Sequence, residues 1–141
     1  MAESLAIKSL EVTEYPPGDG GCKTQTTVQP TWEEVEVAIR ALDHHRFPFI
    51  FIGLRDECRG EDCLSVLGGP KGYAISVANA HSGWVQYCDP KHTGAEVAVW
   101  TSDQGYYPEE RYVSYDLDLV LRVARYYAES GELDPSVQWE E

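Results

Sequence analysis

The chain has 141 residues, 24 acidic against 11 basic side chains, a formal net charge of −13 and 43% apolar residues. That length suits one domain with its own core, since domains run to ~100–200 residues, and residues 1–141 are expected to form a single domain. Clustered Lys and Arg, which phosphate-backbone binders need, are missing, so direct nucleic-acid binding is disfavoured. No apolar run approaches the ~18–20 residues that cross a bilayer, and Met1-Ala2-Glu3-Ser4 carries an acid where a signal peptide needs positive charge. Membrane insertion and secretion are disfavoured, and a cytoplasmic location is expected.

In chain order, residues 5–12 read as an opening strand, and Tyr15-Pro16-Pro17-Gly18-Asp19-Gly20-Gly21 breaks regular structure. Residues 1–30 are therefore read as a strand plus a mobile loop. Thr31-Trp32-Glu33-Glu34 is a capping box, in which the Thr hydroxyl takes an orphan backbone N–H and Glu34 reaches back. A helix starts there, with Trp32, Val35, Ala38, Ile39 and Leu42 on one face and Pro48 as its stop. His44 and His45 fall near its expected C-terminus, where positive charge is favourable against the dipole.

From Pro48 the texture changes to short β-type runs at 49–54, 63–67, 73–78, 84–88 and 97–101, separated by Gly, Asn, Asp and Pro. These read as an antiparallel meander, with Gly68-Gly69-Pro70-Lys71-Gly72 as a hairpin turn. The continuously apolar Phe49-Ile50-Phe51-Ile52 suits a central strand covered on both faces. Asp116 then caps a second helix with a stripe of Leu117, Val120, Leu121, Ala124, Tyr127 and Ala128, and Gly131 stops it. Residues 136–140 return as a last short strand. The expected fold class is α+β, an antiparallel sheet of about five or six strands covered by two helices. Trp32, Ile39, Phe49, Phe51, Ile75, Val77, Val99, Leu121 and Ala124 are expected in the core.

No nucleophile elbow, no zinc-protease helix and no phosphate-binding loop occurs. The spacing of Cys22, Cys58, Cys63 and Cys88 matches no strong zinc signature; a Cys58–Cys63 disulfide requires an oxidising setting, and unpaired thiols are the default in cytosol. A small metal-dependent hydrolase would have to draw on His81, His92, Asp89 and the cysteines. No cofactor and no metal are expected. Most aromatic rings here carry a polar handle, with nine Tyr and four Trp against three Phe, the type enriched at wet interfaces. Tyr106, Tyr107, Tyr112 and Tyr115 crowd one stretch around Glu109 and Glu110. Tyr106, Tyr107, Glu109 and Glu110 are the first candidate partner-binding patch; Glu57, Glu61 and Asp62 form a second acidic tip without an aromatic anchor.

The order of signals runs from a capped helix with Trp32 through a strand run, Gly68-Gly69 leading to Gly72-Tyr73, and a strand ending at Trp100. It continues with Gln104-Gly105 and Pro108, a helix, Gly131 and the ending Val137-x-Trp139. Over residues 31–139 it resembles the immunity-protein family numbered one in bacterial polymorphic toxin systems. The resemblance implies a small α+β protein with no catalysis of its own that binds and neutralises a cognate toxin domain. Toxins of such systems often act on nucleic acids through basic clefts, which an acidic partner would fit. A non-catalytic regulatory adaptor is the remaining alternative from the residues alone.

Overall fold

The computed structural model describes residues 5–17, 21–56, 62–79, 83–92, 94–102 and 105–141. Among them run β1 (Ser9–Glu14), β2 (Lys23–Val28), α1 (Trp32–Arg40), β3 (Phe49–Gly53), β4 (Cys63–Gly69), β5 (Gly72–Asn79), β6 (Gly83–Cys88), α2 (Leu117–Ser130) and β7 (Gln138–Glu140). The strands form a seven-stranded sheet in the order β2-β1-β3-β4-β5-β6-β7, and every pairing is antiparallel. The α+β class with two helices holds, with one strand more than the upper expectation.

The additional strand is β2. Its residues Lys-Thr-Gln-Thr-Thr-Val are almost all exposed, so it carries no apolar alternation for a pattern reading to find. β1 itself sits later than expected, because residues 5–7 do another job: the N–H groups of Ala6 and Ile7 donate to the Ala128 carbonyl at 2.8 and 3.2 Å. They thereby satisfy a carbonyl in the last turn of α2.

Helix boundaries follow the caps. At α1, Thr31 Oγ1 accepts from Glu34 N at 3.2 Å and Glu34 Oε1 accepts from Thr31 N at 2.9 Å. At α2, Asp116 Oδ1 accepts from Asp118 N at 3.0 Å, and Gly131 closes the helix at φ 74°. The strands β2 and β3 both lie antiparallel to β1 and so parallel to each other, which requires a crossover; α1 makes it.

Period-two alternation then splits the sheet into unlike faces. Leu10, Ile50, Ile52, Leu64, Val66, Ile75 and Val77 form one buried core with Trp32, Val35 and Ile39 of α1 and Val120, Val123, Ala124 and Tyr127 of α2. The other face carries Phe49 and Phe51, which are only half-buried, so β3 is not covered on both faces. Leu121 is also only partly buried, and Val123 takes the central place on its helix. Trp32, Ile39, Ile75, Val77, Val99 and Ala124 are buried as expected.

Residues 97–101 are not a strand of the sheet. They belong to a flap laid over the helix-free face, in which Val97 N donates to Pro108 O (2.9 Å), Val99 N to Tyr106 O (3.0 Å) and Tyr106 N to Trp100 O (2.9 Å). Val99 and Val113 of the flap close a small second core on Ala74, flanked by Leu67, Val97 and Tyr106.

Ile52 is fully buried between sheet and helices, and Ile52→Ala is expected to cost ~2–5 kcal/mol by the lost transfer energy and the cavity left behind. Thr31→Ala should cost ~1 kcal/mol through the lost cap. Urea unfolding of both variants checks the order.

Candidate partner-binding site

One anchor of the flap is His44. The expected helix-capping role does not apply, since α1 ends at Arg40 and His44 lies beyond it in the left-handed region at φ 72°. Its side chain is buried. Its Nδ1 lies 2.9 Å from the Val99 carbonyl oxygen, and its Nε2 accepts from Lys71 N at 2.9 Å. A carbonyl only accepts and an amide only donates, so both bonds together require the neutral Nδ1–H tautomer. The His44 backbone adds bonds to Gly68 O and from Thr101 N, each 2.8 Å. Gly69 makes room for the ring, because a Cβ there would stand 2.7 Å from His44 Cδ2. His45 is exposed beside it, and its carbonyl accepts from Ser102 Oγ at 2.7 Å.

A second anchor is aromatic. Trp100 packs edge-on to Phe49 at 5.1 Å and tilted on Tyr15 at 5.9 Å between ring centroids, while its Nε1 donates to Ser102 Oγ at 2.8 Å. The flap turns back at Gly105, whose φ of 75° and 3.1 Å approach of a notional Cβ to the Trp100 carbonyl favour glycine.

Between flap and sheet lies a cavity of about 350 Å³. Trp100, Gly105 and Tyr106 line it from the flap, and Leu67, Ala74, Ser76, Trp84 and Gln86 from the sheet. Trp84 is 48% exposed. Sequence reading placed Trp84 on a strand but did not single it out; the alternation of Trp84, Gln86 and Cys88 against Val85 and Tyr87 is the signal that could have done so.

The first candidate patch is thus divided. Tyr106 faces the cavity, and burial pushes its hydroxyl pKa up, while Tyr107 points outward at 52% exposure. Glu109 pairs with Arg111 at 2.8 Å, and Glu110 accepts from the Tyr115 hydroxyl at 2.9 Å. The second tip is not joined to it. Asp62, paired with Arg55 at 3.0 Å, precedes the Cys63 end of β4, whereas the flap covers the Leu67 end; Glu57 and Glu61 lie outside the described residues.

Among the described residues the hydrolase constellation does not assemble. His92 Nε2 lies 3.5 Å from Asp89 Oδ2, but the Cys88 thiol donates instead to Glu140 Oε2 at 3.3 Å, and burial and that carboxylate push the thiol pKa up. A protonated thiol is a poor nucleophile and ligand. Cys22 is exposed and Cys63 buried, and His81 and Cys58 lie outside the described residues. Among the described residues no three metal-ligating side chains converge, and no helix is long and apolar enough to cross a membrane.

Comparison with known families decides the class. The model of the family described as Immunity protein Imm1 matches residues 23–141. The chain belongs to the Imm1 immunity protein family. No curated protein and no solved structure matches it. The Imm1 match starts at the first residue of β2, so it takes in the strand that pattern reading missed, as well as the flap and the cavity. β1 falls outside the match, yet it pairs with β2 on one side and β3 on the other. Membership of the Imm1 family implies an immunity function and a toxin as the partner bound.

Glu140 ties β7 to the flap: its carboxylate accepts from the Tyr112 hydroxyl at 2.9 Å as well as from Cys88, and these bonds hold its pKa below the ordinary 4.5. A lowered folded-state pKa means stability that is present above the unfolded value and lost as pH falls through the folded one. The wild-type protein should therefore lose stability on acidification below about pH 4.5, and Glu140→Gln should remove part of that dependence. Thermal melts of the two proteins from pH 7 to pH 3 measure it.

Proposed function

We propose that this Imm1 protein binds and neutralises a cognate bacterial toxin domain that acts on nucleic acid, by laying an acidic, tyrosine-bearing surface over the toxin's basic cleft. The observation that carries the reading is the family match over residues 23–141. A net charge of −13 supports the electrostatic half of it: a protein that repels nucleic acid attracts the surfaces that nucleic acid binds. The protein acts as one domain in the cytoplasm of the cell that makes the toxin, without cofactor and without chemistry of its own.

Tyr107, Glu109 and Glu110 are the outward contacts, with Tyr106 supporting them from the cavity side. A half-exposed tyrosine is a suitable hot-spot residue, and flanking acids raise the association rate. Asp62 with Glu57 and Glu61 serves as a secondary acidic rim.

Co-expression with the toxin domain encoded beside it should restore growth, and the two should co-elute on size-exclusion chromatography. Replacing Glu109 and Glu110 with Lys should slow association about 10-fold at low salt and flatten its salt dependence. Tyr107→Ala should speed dissociation about 10-fold with an unchanged melting temperature. Continued killing with no complex removes the reading. Unchanged kinetics in both variants moves the contact away from this patch.

A further inference from the structure

The cavity on the helix-free face has a composition that the reading above does not use. Trp84, Trp100 and Tyr106 all line it, and among its described lining residues none is charged. Ser76 and Gln86 add polar groups to the lining. Ser76 Oγ is bonded to Ser65 Oγ at 2.6 Å, whereas the Gln86 side-chain amide has no hydrogen-bond partner among the described residues. Directly across the β6–β7 pairing, Glu140 stands opposite Gln86, and cross-strand neighbours have Cβ atoms ~4.5–5.5 Å apart. Glu11 lies in the same cross-sheet row, reached through Phe51, Ser65 and Ser76. The row therefore reads carboxylate, apolar and hydroxyl positions, amide, carboxylate, with no basic residue in it.

We propose that this cavity is the socket for an arginine side chain presented by the toxin, its guanidinium stacked on the indoles of Trp84 and Trp100 and donating to the Gln86 amide oxygen. The proposal rests on the reading of the protein as a toxin inhibitor and names the partner chemistry of one site on it. Three physical points select arginine. A planar cation stacks on indole faces, an attraction that strengthens on desolvation. An apolar side chain in the same place would bury the Gln86 amide without a partner, which is unfavourable. A lysine ammonium is a compact, strongly hydrated charge that does not stack as a plane. A volume of about 350 Å³ accommodates one such side chain with a few waters. Trp84, half in water in the free protein, would be covered on binding, as buried interface anchors are.

The test has two arms. In the first, the ¹⁵N-labelled protein is titrated with N-acetyl-arginine amide, N-acetyl-lysine amide and N-acetyl-leucine amide, following the indole N–H signals. Trp84 and Trp100 should shift saturably and most strongly with the arginine amide. Trp139, whose Nε1 donates to Asp134 O, and Trp32 on the far side of the sheet should stay still. Gln86→Leu should weaken arginine binding roughly 3- to 10-fold, the worth of one hydrogen bond. Failure of the arginine amide to saturate, or equal binding of the leucine amide, overturns the proposal.

In the second arm, Trp84→Ala is compared with Val37→Ala, an exposed residue of α1 on the opposite side, for binding to the co-expressed toxin domain. Trp84→Ala should lose at least about 10-fold in affinity and Val37→Ala nothing. A complex indifferent to Trp84→Ala and Gln86→Leu overturns the socket and leaves the immunity reading standing. An arginine-specific socket in a protein that forms no toxin complex does the reverse.

Discussion

Two helices can cover only one face of a sheet this wide, and the rest of the molecule is organised around that shortfall. The apolar rows of β1, β3, β4 and β5 are buried against α1 and α2, a contact whose strength scales with the apolar area removed from water. Period-two alternation then sends every second side chain to the opposite face, where Phe49, Phe51, Leu67 and Ala74 would stand in solvent. The flap is the answer at one end of that face, closing a second, smaller core on Ala74. Trp84, at 48% exposure, stands in part in water, and it lines the cavity together with Trp100 and Tyr106 of the flap.

Among its described residues the flap is short of regular hydrogen bonding, with isolated bridges at Glu96–Glu109 and Trp100–Tyr106 and one to the sheet at Tyr73–Ser114, so its position depends on what it is tied to. His44 supplies one tie by bonding at once to the flap and to the β4–β5 hairpin. Both ring nitrogens are used in a buried site, where losing either partner leaves a polar group unsatisfied. Together with the Trp100 packing on Phe49 and Tyr15, this sets the distance between the flap and Trp84. The shape of the cavity and of the candidate surface around it is thus set by a buried residue.

Charge works on a different scale from packing. The ion pairs Arg40–Glu36, Arg125–Glu129 and Arg111–Glu109 are at the surface, and such pairs contribute ~0–1 kcal/mol each. They do little for the fold. With 24 acids against 11 bases the excess of carboxylates cannot be neutralised internally, and it acts over the whole molecule as a field that attracts basic surfaces and repels nucleic acid.

Local chemistry alone was enough to read both helices, because a cap is complete within four residues: Thr31 with Glu34 at one helix, Asp116 with its own first turn at the other. The same holds for β3 to β6, whose apolar runs and glycine turns are local, and for the family, whose motif order is linear. The edge strand β2 was not legible, since a strand with no buried face has no hydrophobic period. Residues 97–101 looked like a strand because Val97 and Val99 are apolar, yet they pack on the sheet rather than pair within it. His44 and Val99 are 55 residues apart, and Trp84, Gln86 and Trp100 meet only through the sheet register and the flap's return. The sequence by itself determined both helices, the central strands, the acidity and the class; the tertiary structure alone decided the cavity, because its walls come from segments whose contact exists only once the helix-free face has been covered.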